Sequence, residues 1–124
     1  MDWVVGVKMI EVYGFVDFES RLGLREVGEV VSRLLFSCTA FSYEEGLRDE
    51  ISGLSLDDDV FGLTAVLYEN GDPSALERLY TLEVMPGTSE GRHRPTSSLG
   101  IGEWLAQILS DCDSFKIVKW YPAQ

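Results

Sequence analysis

The chain has 124 residues, of which 45% are hydrophobic, and its 21 acidic residues outnumber its 10 lysines and arginines to give a net charge of −11. This length predicts one domain spanning residues 1–124, and the apolar content is sufficient for a core, which argues against intrinsic disorder. The excess of acid disfavours direct binding to nucleic acid or to an anionic membrane, because both are negatively charged.

The first residues predict a cytoplasmic location. Met1 to Val5 read as the start of a strand and lack the basic start and apolar core of a secretory signal. No apolar run approaches the roughly 18 to 20 residues that a membrane span requires. Cys38 and Cys112 each fall near the end of a predicted helix. In a reducing compartment we expect free thiols, with a bridge between the two as the alternative.

The chain begins with a strand and a helix. Residues 3–18 are dense in β-branched and aromatic residues, which predicts a long strand with a kink or bulge at Gly6 or Gly14. In residues 20–38 the apolar side chains recur every three or four positions while charged residues occupy the other face. This spacing predicts an amphipathic helix.

An acidic segment follows, in which residues 44–59 carry seven acidic residues against the single base Arg48. Tyr43, Leu47 and Ile51 are spaced four apart, which predicts a short helix with one apolar stripe and its carboxylates turned outward. The segment lies between two ordered regions, so it is expected to hold a concentrated negative potential at a fixed place on the surface.

The pattern then returns to strands. Residues 59–70 and 78–85 alternate as two strands of a hairpin, joined by a loop that contains the turn sequence Asn70-Gly71-Asp72-Pro73. Residues 86–99, which are rich in glycine, serine and threonine, predict a mobile surface loop.

A helix and a strand complete the chain. The helix is expected to start near Ser98 or Gly100 and to bury an apolar stripe that includes Trp104. Residues 115–121 alternate as the last strand. The order of the elements predicts an α+β fold, with a mainly antiparallel sheet, two helices on one of its faces and a ferredoxin-like split βαβ plan.

Chemical motifs are weak in this sequence. Asp57-Asp58-Asp59 lacks the alternating ligand register of a calcium loop, so we expect no bound metal. Arg92-His93-Arg94 is the one local cluster of bases, and its Gly- and Ser-rich surroundings predict a solvated turn. There is no phosphate-binding loop, nucleophile elbow or zinc spacing. The sequence therefore predicts a protein that is not an enzyme and has no cofactor.

A small acidic α+β domain without a catalytic motif resembles the bacterial immunity proteins that neutralise a cognate toxin, including those of contact-dependent growth inhibition systems. The part of the chain that most resembles them runs from Tyr43-Glu44-Glu45-Gly46-Leu47-Arg48-Asp49-Glu50 through Asp57-Asp58-Asp59-Val60-Phe61-Gly62-Leu63. The resemblance implies a protein partner, expected to be a basic nuclease toxin whose active site is covered. The predicted partner-binding residues are Tyr43 as an anchor and, for electrostatic steering, Glu44, Glu45, Asp49, Glu50, Asp57, Asp58 and Asp59.

Two alternative functions are also compatible with the sequence. The acidic segment could imitate the phosphates of a nucleic acid and so inhibit a DNA-binding protein. Alternatively, the chain could be a small-molecule-binding or enzymatic domain that uses Arg92, His93 and Arg94.

Overall fold

The computed structural model describes residues 10–48, 51–72, 74–87 and 97–121. Among these residues the elements, in chain order, are β1 (Ile10–Ser20), α1 (Leu24–Leu35), β2 (Phe41–Arg48), β3 (Ile51–Leu56), β4 (Leu63–Glu69), β5 (Arg78–Pro86), β6 (Ser97–Gly100), α2 (Gly102–Ser110) and β7 (Lys116–Tyr121). The predicted α+β class is confirmed.

The seven described strands form one sheet in the order β2-β3-β4-β5-β1-β6, with β7 also paired to β1. Every pairing is antiparallel except that of β6 with β1, which is parallel. The mainly antiparallel sheet is therefore confirmed. The narrower ferredoxin-like plan is not confirmed, because the observed sheet adds the β2–β3 hairpin and the short parallel strand β6.

The core lies between one face of the sheet and both helices. Alternate residues of the central strands, such as Val16, Leu67 and Leu82, have no exposed surface and belong to the same cluster as Val27 of α1 and Leu105 of α2. Strand alternation places these strand residues on a single face. Both helices therefore cover that face, as the sequence predicts.

Helix α1 forms where the apolar spacing predicts it, with Val27 and Val31 buried. The side chain of Glu26 accepts a hydrogen bond from the amide of Gly23 at 3.1 Å, which satisfies one of the free amides at the helix start. Gly28 brings the helix close to the sheet, since a Cβ at that position would lie 2.6 Å from Cδ1 of Leu54.

Helix α2 begins two residues later than Gly100, the later of the two predicted starts. Gly14 of β1 explains its position, because a Cβ there would lie 2.7 Å from the amide nitrogen of Gly102. The amide of Ile101 donates a 2.9 Å hydrogen bond to the carbonyl oxygen of Tyr13. The helix start therefore rests directly on the central strand.

The predicted short helix in the acidic segment is wrong. Its residues form the β2–β3 hairpin, with Tyr43 opposite Leu54 and a register shift between Glu44 and Arg48. A spacing of four residues fits a helix of period 3.6 but is also two strand repeats, so the pattern is ambiguous. Hydrogen bonding to β3 decides between them.

Two smaller predictions are also corrected. The loop predicted over 86–99 includes strand β6, which pairs with β1 over Ser97–Gly100, while residues 88–96 lie outside the described part of the chain. Trp104, predicted on the buried stripe of α2, is 52% exposed. Trp104 lies beside the apolar stripe of α2 and not on it. The buried residues of α2 are Gly102, Leu105, Ala106 and Leu109.

Cys38 and Cys112 are free, as expected. No helix among the described residues is both long and apolar enough to cross a lipid bilayer.

Candidate functional site

The structure divides the predicted partner-binding residues into two groups. Tyr43 and the edge acids, Glu44 and Glu45, lie on β2, and the turn acids, Asp57, Asp58 and Asp59, follow β3. All six side chains are exposed. Asp49 and Glu50 lie outside the described residues, as do Arg92, His93 and Arg94.

The edge acids stand on the outermost described strand on that side of the sheet. Tyr43 is 53% exposed and lies opposite the core residue Leu54, on the face that carries the helices. Glu44 lies opposite Gly53, so it projects from the other face. The two predicted binding residues are adjacent in sequence but point to opposite sides of the hairpin.

A bulge in β2 also places Tyr43 and Leu47 on opposite faces of the hairpin. Gly46 has a positive φ of 68°, in the stretch where the register with β3 shifts. Cδ2 of Leu47 lies 2.9 Å from the position that a Cβ on Gly53 would occupy, on the face opposite Leu54. Tyr43 and Leu47 therefore do not form the single apolar stripe that the sequence predicts.

The edge acids and the turn acids lie at different places along the hairpin. Glu44 is opposite Gly53, whereas Asp57 is four residues further along the chain, and the amide of Asp57 donates to the carbonyl oxygen of Ala40. Four strand residues span about 13 Å. Because this is close to the Debye length of about 8 to 10 Å at physiological salt, the two groups act on a partner as neighbouring sites with partly overlapping fields.

None of these five carboxylates forms an ion pair with a lysine or arginine whose side chain the structure describes. The ion pairs given by the structure lie elsewhere and join Arg21 to Glu77, Arg78 to Glu69 and Lys119 to Asp17. The charge of both acidic groups is thus free to act on an external cation.

The turn acids lead into a tight hairpin turn. The amide of Val60 donates a 2.8 Å hydrogen bond to the carbonyl oxygen of Leu63. The amide of Leu63 donates a 2.9 Å hydrogen bond to the carbonyl oxygen of Val60. The two central residues, Phe61 and Gly62, both have positive φ, 53° and 78°. This is the backbone that a type I′ turn requires.

An apolar pocket of about 200 Å³ lies beside this turn. We call it the Phe61 pocket. Its walls come from the end of α1, the turn, β5 and the start of α2, and are formed by Leu35, Phe36, Val60, Phe61, Leu63, Val84, Ile101, Trp104 and Leu105. The turn acids immediately precede Val60 and Phe61 in the chain, and the lining itself is entirely apolar.

The sequence does not indicate this pocket, for two reasons. Its alternation predicts a strand over residues 59–62, and Phe-Gly is not among the favoured type I′ pairs such as Asn-Gly and Asp-Gly. Its spacing also predicts that Trp104 lies on the buried stripe. The signal that the sequence does contain is the pair Phe61-Gly62 at the end of an acidic run.

A second cavity, of about 330 Å³, lies between α1 and the β2–β3 hairpin. Its lining includes Arg25, Arg33, Glu29 and the thiol of Cys38. Two arginines give it a charge character unlike that of the Phe61 pocket.

The turn acids do not form a metal centre. Among the described residues, no three histidine, cysteine or acidic side chains come together in a way that could hold a metal ion. Their side chains are exposed and successive along the chain, so they present separate carboxylates to solvent.

No family model, no curated protein and no solved structure matches this chain.

Proposed function

We propose that this protein binds a basic protein and blocks its activity, in the manner of an immunity protein that neutralises a cognate toxin. The observation that carries the proposal is the set of five exposed carboxylates on a hydrogen-bonded hairpin and turn, none of which is paired with a described base. Such charges speed the encounter with a cationic partner and orient it.

Repulsion among these five carboxylates favours binding of a basic partner. Like charges held close together on a fold repel one another, and none of these five forms an ion pair with a base whose side chain the structure describes. A basic surface docked on the hairpin would supply that compensation. The exposed aromatic residues Tyr43, Phe61 and Trp104 would provide the apolar contacts from which most of the affinity of a protein complex arises.

The nucleic-acid mimic has less support. A mimic of a DNA backbone needs a continuous row of negative charge along a groove-sized stripe. The described carboxylates instead form two groups, with Tyr43 and Glu44 on opposite faces of the hairpin.

The test begins with affinity capture from the source cell. The wild-type chain is immobilised beside two variants with equal changes in net charge, Glu44→Lys/Glu45→Lys and Asp111→Lys/Asp113→Lys. The second pair is exposed at and just beyond the end of α2 and serves as the control. We expect a basic protein to bind the wild type and the control, and to be lost from the edge-acid variant.

The captured protein is then expressed in a heterologous host. It should arrest growth alone, and co-expression of the wild-type chain should restore growth. Retention of the same proteins by all three baits, or growth that the wild-type chain does not restore, would contradict the proposal.

A further inference from the structure

Phe61 is held in a conformation that its own side chain disfavours. It is 96% exposed and has a φ of 53°, in the left-handed region where a Cβ crowds the backbone. Asparagine, aspartate and glycine tolerate this region far better than a bulky aromatic does. Strained backbone positions of this kind concentrate at ligand-binding sites, where the strain holds a side chain in the position that contacts the ligand.

Three backbone hydrogen bonds hold the turn that carries Phe61. Two hydrogen bonds close it between Val60 and Leu63, and the amide of Gly87 donates a third, of 2.8 Å, to the carbonyl oxygen of Gly62. Phe61 is therefore presented by a constrained backbone, and little conformational freedom is lost when a partner contacts it.

The size of the Phe61 pocket indicates what could enter it. Its volume of about 200 Å³ is smaller than the roughly 300 to 1,000 Å³ of sites for drug-sized molecules. Phe61 and Trp104 are the most exposed of its lining residues, at 96% and 52%. The pocket suits one apolar side chain of a larger partner.

The charge around the pocket indicates the sign of that partner. Asp57, Asp58 and Asp59 immediately precede the turn, whose Val60 and Phe61 line the pocket. A second copy of this chain would bring its own turn acids against these, at a net charge of −11 for each copy. A segment with lysine or arginine beside its apolar side chain has the complementary charge.

We infer that the Phe61 pocket anchors one aliphatic side chain of a basic partner, while flanking lysines or arginines of the partner pair with the turn acids. This inference rests on the proposed function and specifies where the partner makes its central contact. In this complex Phe61 and Trp104 provide most of the affinity, and the turn acids provide electrostatic steering of the partner.

The test uses three peptides with blocked ends, Lys-Lys-Leu-Lys-Lys, Lys-Lys-Ser-Lys-Lys and Glu-Glu-Leu-Glu-Glu, titrated into the ¹⁵N-labelled chain and followed by NMR. The leucine–lysine peptide should shift the amides of residues 60–63 and 101–105 and the indole of Trp104. Exchanging its leucine for serine should weaken binding about tenfold, as expected for the loss of one buried aliphatic side chain. The glutamate peptide should not bind.

Two variants complete the test. Phe61→Asn creates an Asn-Gly pair that suits the type I′ turn, so the fold should persist while binding of the leucine–lysine peptide falls to that of the serine peptide. Leu76→Asn removes another exposed apolar side chain, 74% exposed in the β4–β5 connection, and should leave binding unchanged. A thermal midpoint of Phe61→Asn at or above the wild type confirms that loss of binding is not loss of fold.

The outcomes separate the two proposals. If both lysine peptides bind equally, or if their shifts lie away from the pocket, the pocket inference is overturned while the charge-based function stands. If no lysine peptide binds better than the glutamate peptide, the proposed function fails and the inference fails with it. Concentration-dependent dimerisation through the pocket would also overturn the inference.

Discussion

The amide of Gly87 donates a 2.8 Å hydrogen bond to the carbonyl oxygen of Gly62, which joins the end of β5 to the turn that presents Phe61. A Cβ on Gly87 would collide with the carboxylate of Asp59, so the same glycine also leaves room for a turn acid. Gly87 therefore both holds the turn that presents Phe61 and leaves space for the carboxylate of Asp59.

Phe61→Asn should raise the free energy of unfolding by about 1 kcal/mol, because asparagine adopts a positive φ with less steric strain than phenylalanine. Urea denaturation should show a higher midpoint with an unchanged slope. Phe61→Ala is the matched control, since it removes the ring but keeps a side chain ill suited to this φ. An equal gain in both variants would show that the exposed ring, and not the backbone, is responsible.

Gly62→Ala should destabilise the fold by about 1 kcal/mol through the backbone alone. The φ of Gly62 is +78° and no atom lies within 4 Å of the position that a Cβ would occupy, so no clash contributes. Thermal or urea unfolding measures the loss. Gly62→Asn should cost less, because asparagine tolerates the left-handed region. A fully stable alanine variant would be inconsistent with the turn described above.

Gly53→Ala should destabilise the hairpin by about 1 to 3 kcal/mol, the usual range for overpacking. A Cβ there would lie 2.6 Å from the carbonyl oxygen of Leu67 and 2.8 Å from Cβ of Tyr68, neither of which can rotate away. Hydrogen exchange should locate the loss of protection in β2 and β3. Gly23→Ala, whose Cβ would be 3.7 Å from Oε1 of Glu26, should cost less than about 1 kcal/mol. Equal effects at the two sites would contradict the close approach of β3 and β4.

Asp58→Asn should stabilise the isolated protein at low salt by about 0.3 kcal/mol, because it relieves repulsion among the turn acids. The gain should disappear near 1 M salt, where the Debye length falls to about 3 Å. Asp72→Ala is the control with the opposite sign, since it removes Oδ1, which accepts hydrogen bonds of 2.9 and 2.8 Å from the amide and hydroxyl of Ser74. A salt-independent effect of Asp58→Asn would exclude repulsion as its cause.

Stability should fall at alkaline pH through Tyr80. Burial raises the pKa of its hydroxyl above the usual 10.0, and that hydroxyl donates a 2.6 Å hydrogen bond to the carbonyl oxygen of Leu22. A group whose pKa is raised by folding stabilises the fold fully below its unfolded pKa, and this contribution is lost as the pH rises toward the folded pKa. Urea midpoints measured from pH 8 to pH 11 should therefore decline.

The control for this pH dependence separates Tyr80 from the other tyrosines. Tyr80→Phe should have a lower midpoint at pH 8, from the lost hydrogen bond, but a shallower decline above pH 10. Tyr43→Phe, which changes an exposed ring, should decline like the wild type. Parallel curves for wild type and Tyr80→Phe would rule out this assignment.

The elements that the sequence predicts well are those with one dominant periodicity. Helix α1 repeats its apolar residues every three to four positions, and β5 alternates over its whole length, so each pattern fits one structure. The acidic segment has no such clear period, because Tyr43, Leu47 and Ile51 satisfy a helix and a strand equally. Pairing with β3, which lies later in the chain, selects the strand.

Of the properties of the candidate site, the sequence predicts only its negative charge. The sequence shows the turn acids and the edge acids, but a run of acids does not reveal that a bulge at Gly46 and strand alternation turn Tyr43 and Glu44 to opposite faces. It also does not reveal the Phe61 pocket, whose walls come from four separate elements.

The amino-acid sequence by itself determined the acidity of the segment between α1 and β4, the amphipathic faces of the helices and the α+β class, because these depend on residue type and on spacing over a few positions. The tertiary structure decided that Phe61 and Trp104 line one pocket. Their placement depends on the packing of the α2 start against Gly14 and on the hydrogen bond from Gly87 to Gly62, which join segments far apart in the chain. Local patterns carry no information on contacts of this kind.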